Sequence, residues 1–269
     1  MSVTRLYPLP AIERPLQGCY LELHLHRHEG ERTLVYANYV TSLDGRISLR
    51  DPQSGEFVVP RRIANPRDWR LYQELAAQAE VMITSARYFR QLAKGNAQDL
   101  LPVGSEPDFA DLRDWRQAEG LRTQPDVLVL SRSLDIPEAA IARLSDRRLI
   151  VLTPSAPEPQ RLRRLEQLGV EVVEAGSEID AAGIRRTLNS RGYRTAYMIA
   201  GPEVHRTLIA GGGLDRLFLT TRHTLLGGDA FHTILEGALP NSPELELCAL
   251  YLDNGEACGQ SFAHYRLRS

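Results

Sequence analysis

Short apolar runs alternating with stretches of helical character fill residues 81–221, and this alternation restricts the folding of the chain more than any other feature. Val81-Met82-Ile83, Asp126-Val127-Leu128-Val129-Leu130-Ser131, Leu149-Ile150-Val151-Leu152, Val170-Glu171-Val172-Val173 and Ala196-Tyr197-Met198-Ile199 read as strands. Helices are expected over residues 66–79, from Ser85 onward, and over 109–119, 159–168, 181–190 and 202–210, the first capped by Asn65 ahead of Pro66. A run as uniformly apolar as 127–130 has no face suited to water, so both faces must be covered. Helical crossovers cover them and leave neighbouring strands parallel. The expected fold is therefore α/β and three-layered, with a mostly parallel sheet and helices on both faces. Strands over residues 33–40 and 214–221 join it, and a C-terminal antiparallel hairpin (245–252 with 260–267, turning at Asp253-Asn254-Gly255) closes it.

Residues 1–32 differ in character: proline-spaced at first, then polar, with Cys19 to His28 alternating like a strand. They are expected to form an N-terminal extension packed on the main body. Residues 33–269 are expected to be one domain, because no repeat, low-complexity tract or linker divides them. A strand would place His24, His26 and His28 on one face, which raises a metal site. No second ligand cluster accompanies them, so a solvated polar face is the simpler reading and no metal is expected.

Composition removes several chemistries. Of the 32 Lys plus Arg, only Lys94 is a lysine, leaving 31 arginines, an excess that codon bias in a GC-rich genome explains. A Schiff-base lysine would have to be Lys94. A P-loop needs Gly-Lys-Ser/Thr, but Gly95 and Asn96 follow Lys94. A Tyr-x-x-x-Lys pair would need tyrosine where Arg90 stands. A net charge of −2 argues against nucleic acid as a partner. Cys19, Cys248 and Cys258 lack Cys-x-x-Cys spacing and fit a reducing compartment. No apolar run approaches the ~18 residues of a membrane span and no signal-peptide core is seen, so the cytoplasm is the default expectation.

Ligands of open parallel sheets bind beyond the carboxyl ends of the strands. Four such ends carry chemistry here: Asn38-Tyr39-Val40-Thr41-Ser42-Leu43-Asp44-Gly45-Arg46, Ile83-Thr84-Ser85-Ala86-Arg87-Tyr88, Ser131-Arg132, and Ile199-Ala200-Gly201-Pro202-Glu203-Val204-His205. Small residues opening helices leave backbone N–H groups for phosphate. Each signal alone is weak; together they suit a dinucleotide. The Gly-x-Gly-x-x-Gly fingerprint of the standard Rossmann fold is absent.

The segment Asn38-x-Val40-x-Ser42-Leu43-Asp44-Gly45-Arg46-Ile47 resembles the opening motif of the riboflavin-biosynthesis pyrimidine reductases, which share the dihydrofolate reductase fold. The resemblance continues in order through Ala79-Glu80-Val81-Met82-Ile83-Thr84-Ser85, Val129-Leu130-Ser131-Arg132, Ala200-Gly201-Pro202-Glu203, Gly213-Leu214-Asp215-Arg216-Leu217, Leu225-Leu226-Gly227-Gly228 and Tyr265-Arg266-Leu267. It implies an NADPH-dependent reductase, a homodimer, acting on a small pyrimidine-like substrate by hydride delivery to C1′ of a ribosylamino group. By position, Val40 approaches the nicotinamide, with Ser42 and Asp44 at the junction of cofactor and substrate. Asn38 hydrogen-bonds the substrate or the nicotinamide amide, and Asp44 is the candidate acid–base residue. Ser85, Ala86, Arg87 and Tyr88 cradle the pyrophosphate or adjacent ribose. Ser131 and Arg132 meet the adenosine 2′-phosphate, and Ala200, Gly201, Pro202, Glu203 and Val204 wrap the pyrophosphate.

The sequence departs from the family at informative places. Tyr88 stands for Thr, Ala200-Gly201 for Gly-Gly, and His223 for Pro. Ile199 replaces an acidic residue expected to bind substrate, and Ala76 or a neighbour replaces a basic residue expected to hold its phosphate. Phosphate recognition is therefore sought among Arg61, Arg62, Arg67 and Arg70. The zinc deaminase signature, His-x-Glu with Pro-Cys-x-x-Cys, does not occur in the chain. The eroded substrate positions keep a second function open: a non-catalytic nucleotide-binding or regulatory relative. Elsewhere, Arg161, Arg163 and Arg164 read as a solvated helix face, Asp215 as a loop-orienting residue, and Trp69 with Tyr72 as packing or an aromatic wall.

Overall fold

The uniformly apolar runs are buried parallel strands. A computed structural model of the chain describes residues 2–95, 101–144, 146–255 and 259–268. In chain order its strands are β1 (Ser2–Tyr7), β2 (Ile12–Pro15), β3 (Leu34–Ser42), β4 (Ser48–Arg50), β5 (Phe57–Val58), β6 (Val81–Ser85), β7 (Asp126–Leu130), β8 (Leu149–Thr153), β9 (Glu171–Glu174), β10 (Thr195–Met198), β11 (Arg216–Arg222), β12 (Phe231–His232), β13 (Leu245–Asp253) and β14 (Gln260–Leu267). Its helices are α1 (Pro66–Ala77), α2 (Ala86–Ala93), α3 (Ala110–Ala118), α4 (Glu138–Ala142), α5 (Pro159–Gln167), α6 (Ala181–Asn189) and α7 (Pro202–Ala210). The fold class is the expected α/β one, with helices, parallel strands and a C-terminal antiparallel strand pair. The chain divides into two compact units: Met1–Leu23 with Tyr36–Leu75 and Gly201–Ser269, and His24–Val35 with Ala76–Ala200.

In the second unit, β10, β6, β7, β8 and β9 lie side by side in that order, every pair parallel. All residues of β7, β8 and β10 are buried, as runs without a polar face require. Carboxylates fix the starts of two crossover helices. Glu158 accepts the backbone N–H groups of Gln160 and Arg161 to begin α5, and Asp180 accepts that of Gly183 to begin α6. Arg116 of α3, 1% exposed, donates from Nη1 to the carbonyls of Ala77 (2.7 Å) and Ala79 (2.8 Å), and from Nη2 to that of Arg122 (2.7 Å). Its charge sits at the carbonyl-rich end of α1, where the helix dipole favours a cation.

In the first unit the order is β2-β1-β13-β14-β11-β3, antiparallel except for the parallel pair β11–β3. A small sheet, β12-β4-β5, stands apart. Asn65 caps α1 as expected, its side-chain oxygen accepting from the N–H groups of Arg67 and Asp68, both at 3.1 Å. Strands β4, β5 and β12 are too short for periodicity to reveal. Strands β1 and β2 lack clean alternation in sequence, yet β1 hydrogen-bonds along β13.

The segment from Cys19 to His28 is not the expected strand; it makes 3-10 turns at residues 21–23 and 25–27. The reason is local competition for N–H groups. Glu74 accepts from those of Gly18 and Tyr20, and Gln78 accepts from that of Leu25, so they are unavailable to a strand neighbour. The His24 and His26 rings nevertheless lie 5.9 Å apart, and the His28 ring meets the Arg32 carbonyl at 3.2 Å. His24 is exposed with a left-handed backbone (φ +47°), whereas His26 is buried edge-on to Trp115 and 2.8 Å from the Glu119 carboxylate. Cys258 and the start of the polar excursion at 96–100 lie outside the described residues. Among the described residues no helix is long and apolar enough to cross a membrane.

Replacing Arg116 by Met retains bulk but strands several buried carbonyls. Urea unfolding is expected to show a loss of about 2–4 kcal/mol; a loss under ~0.5 kcal/mol would show that water replaces the guanidinium there.

Candidate active site

In the first unit, β3 runs two residues beyond its expected end, to Ser42, and then turns sharply. Gly45 takes a left-handed conformation (φ +79°), and its N–H closes the turn on the Ser42 carbonyl at 3.0 Å. Asp44 is the hub of this loop. Its carboxylate accepts from the Ser42 hydroxyl, from the Arg46 guanidinium, and from the backbone N–H groups of Gly227 (2.9 Å) and Leu226 (3.2 Å). Gly227 and Gly228 are both left-handed, and this conformation aims the Gly227 N–H at the acid. The Ser42 hydrogen bond and these backbone donors hold the Asp44 carboxyl far below the usual carboxylate range.

Through these bonds the Asp44 carboxylate joins residues 42–46 to residues 226–227. Ser42 is buried, its hydroxyl donating to Asp44 and accepting from the Arg46 N–H at 3.1 Å. Asn38 and Val40 behave differently. They are the half-buried residues of an otherwise buried β3, and the Asn38 side-chain oxygen has no hydrogen-bond partner.

An acid that the sequence reading passed over lies in the same unit. Asp68, in the first turn of α1, is 8% exposed. Thr220 of β11 hydrogen-bonds its carboxyl, and its Oδ1 has no partner. Burial raises its pKa to about 6 against the opposing pull of Thr220 and Arg222. A signal was present in sequence: Asp68 falls on the apolar stripe of α1 with Leu71, Tyr72 and Leu75, where a charge is out of place. Two arginines proposed for phosphate are committed elsewhere. Arg67 is buried against Asp253 (2.6 Å), and Arg70 pairs with Glu74 (3.0 Å) within α1. Arg61 and Arg62 are exposed. Trp69 and Tyr72 stack on each other at 4.7 Å.

The first unit also holds Gly201, Pro202, Glu203 and Val204. Gly201 precedes α7, which has no side-chain cap, and a Cβ at Gly201 would meet nothing within 4 Å. In the second unit, the parallel register sets Ser85 opposite Leu130, so Ser85 and Ser131 lie at neighbouring strand ends. Ser85 precedes α2 without its hydroxyl capping the helix; Arg87 is exposed, and Ala86 and Tyr88 are buried. Ser131 is buried, and its hydroxyl accepts the Leu134 N–H at 3.0 Å, shaping a turn on which Arg132 is exposed. Ala200 is buried after β10, its N–H on the Met198 sulfur.

A family profile described as the RibD C-terminal domain matches residues 33–258. The chain belongs to this family. The RibD C-terminal domain is a reductase domain, so the protein is an oxidoreductase of that family. Solved structures agree on the fold. A pyrimidine reductase-like protein from Corynebacterium diphtheriae is 23% identical over 88% of this chain and 92% of its own, with a TM-score of 0.68. The riboflavin biosynthesis reductase Rib7 of Saccharomyces cerevisiae is 14% identical over 93% and 99%, with a TM-score of 0.59. RibD of Acinetobacter baumannii is 17% identical over 89% of this chain, with a TM-score of 0.63; this chain spans 59% of its length. A search of curated proteins finds no match.

Two measurements check the acids of this RibD C-terminal domain. Asp44→Ala removes the acceptor shared by Leu226 and Gly227, and hydrogen exchange at those two amides is expected to quicken by about tenfold or more; unchanged protection would place the clamp elsewhere. Asp68→Asn removes a titration. A raised carboxyl pKa means the folded chain binds that proton more tightly than the unfolded chain, so wild-type stability from this group is lost as pH rises from about 4 through about 6. Urea unfolding is expected to show the variant gaining on wild type across that window, by up to ~3 kcal/mol at pH 7. A gap that stays constant with pH would mean that Asp68 titrates normally.

Proposed function

We propose that the chain is an NADPH-dependent reductase resembling the 5-amino-6-(5-phosphoribosylamino)uracil reductases, transferring hydride to C1′ of a ribosylamino-pyrimidine or related substrate. The observation that carries the reading is the set of helix starts within this family's sequence frame. Helices α2 and α7 both follow small residues at strand ends and begin without side-chain caps, and Gly201 leaves open space where a side chain would stand. Such donor sets suit phosphate oxygens.

When bound, the nicotinamide supplies the hydride. The chain's own residues bind, orient and exclude water. In the second unit, Ser85 and Arg87 are assigned to phosphate or ribose oxygens and Arg132 to the 2′-phosphate, whose charge and planar geometry match a guanidinium. Ser131 acts by shaping the turn that carries Arg132. In the first unit, the N–H groups after Gly201 are assigned to the pyrophosphate and the Val40 backbone to the nicotinamide. The Asp44 clamp fixes the loop that follows Val40 on β3, so its part is positioning. Asn38 offers an unpartnered oxygen to an N–H of the substrate or the nicotinamide amide. A pyrimidine-like small molecule as partner and a homodimeric state follow from the same resemblance, and sedimentation equilibrium reads the latter directly.

Nicotinamide fluorescence tests the cofactor assignment. The protein is expected to bind NADPH, and Arg132→Ala to weaken NADPH by about tenfold or more while barely moving NADH. Equal losses for both cofactors would remove Arg132 from the 2′-phosphate. Absence of NADPH binding to the wild type would overturn the reductase reading, and binding without NADPH oxidation across ribosylamino-pyrimidines would favour a regulatory relative.

A further inference from the structure

We propose that Asp68 is a specificity-determining residue, accepting a hydrogen bond from a ring N–H of a pyrimidine laid against the half-open stretch of β3, with Asn38 accepting from the adjacent amino group. The proposal rests on the reductase reading and deepens it by naming a substrate contact within the first unit.

The register places the groups together. In the parallel β3–β11 pair, Asn38 lies opposite Phe218 and Val40 opposite Thr220. Residues paired in this way turn their side chains to the same face, and Tyr36, two before Asn38, meets Phe218 edge-on at 6.2 Å. Asn38, Val40, Phe218 and Thr220 therefore share a face, and Asp68 reaches it through the Thr220 hydroxyl. Within β3, that face is only half-buried at Asn38 and Val40.

The face carries donors as well as acceptors: Arg222 Nε and the ring nitrogens of His264, which stacks on Phe218 at 4.3 Å, also have no hydrogen-bond partner. Asp68 Oδ1 and Asn38 Oδ1 are both buried acceptors without a partner. Buried acceptors left unpaired are costly, and a ligand edge bearing N–H donors removes that cost for both. The other charged side chains of the first turns of α1 are neutralised within the fold, Arg67 by Asp253 and Arg70 by Glu74. Burial pushes the Asp68 carboxyl up to about 6. The charged and titratable groups set near it are Arg222 on β11 and the Tyr20 phenol, itself raised by burial and by Asp68. A buried acid of this kind does not stabilise the fold, and a ligand donor would offset its cost.

Calorimetric titration of 5,6-diaminouracil into the full chain tests the proposal, with its 1,3-dimethyl analogue as the ligand lacking ring N–H donors. Wild type is expected to bind 5,6-diaminouracil and to bind the dimethyl analogue about tenfold or more weakly. Asp68→Leu is expected to lose that preference and bind both ligands weakly, with its melting temperature unchanged or raised. Asp68→Asn serves as the conservative check and is expected to retain part of the preference. Wild type that fails to bind 5,6-diaminouracil, or binds both ligands alike, would overturn the proposal, as would an Asp68→Leu variant that keeps the preference. NADPH affinity, read separately by nicotinamide fluorescence, is expected to be the same in all three proteins. Its loss in the wild type would strike the reductase reading instead.

Discussion

The first unit is organised by one fixed alignment: seven consecutive residues of β11, Arg216 to Arg222, paired in parallel with Tyr36 to Ser42 of β3. A slip of one residue would turn every side chain of one strand to the opposite face. The observed register sets Asn38 beside Phe218, Val40 beside Thr220 and Ser42 beside Arg222. It brings the ends of both strands level, so the loops that follow them meet, with the Leu43 N–H on the Thr224 carbonyl at 2.9 Å. The Asp44 clamp is possible only because those loops leave the sheet side by side.

Two aspartates in this unit show how environment assigns roles to one functional group. Asp44 is surrounded by donors and stays ionised, which suits a residue that ties loops together. Asp68 is buried with one hydroxyl partner, and its proton is held far more tightly. Environments that push like groups in opposite directions separate structural from chemical duties.

Most of the architecture was legible because it rests on local pattern. Uniformly apolar strands at 127–130 and 149–152 cannot be anything but covered on both faces, and Asn65-Pro66 marks a helix start that the capping geometry reproduces. What was not legible depends on distant side chains. Glu74 and Gln78, more than fifty positions away in sequence, take the N–H groups of residues 18–25 and bend that segment into turns. Arg67 looked available for phosphate until Asp253, 186 positions away, claimed it. The site divides along the same line. The motif at 38–47 identified the family, whereas the unpaired oxygens of Asn38 and Asp68 emerge only once the strands are in register.

Isotope transfer reads out hydride delivery from NADPH to the sugar carbon of a ribosylamino-pyrimidine. The protein would be incubated with NADPH deuterated at nicotinamide C4, on the transferred face, and 5-amino-6-(5-phosphoribosylamino)uracil, and the pyrimidine product analysed by mass spectrometry. A ribityl product carrying a single deuterium at C1′ is expected. Product without deuterium, or NADPH left unoxidised beside unchanged pyrimidine, would contradict it.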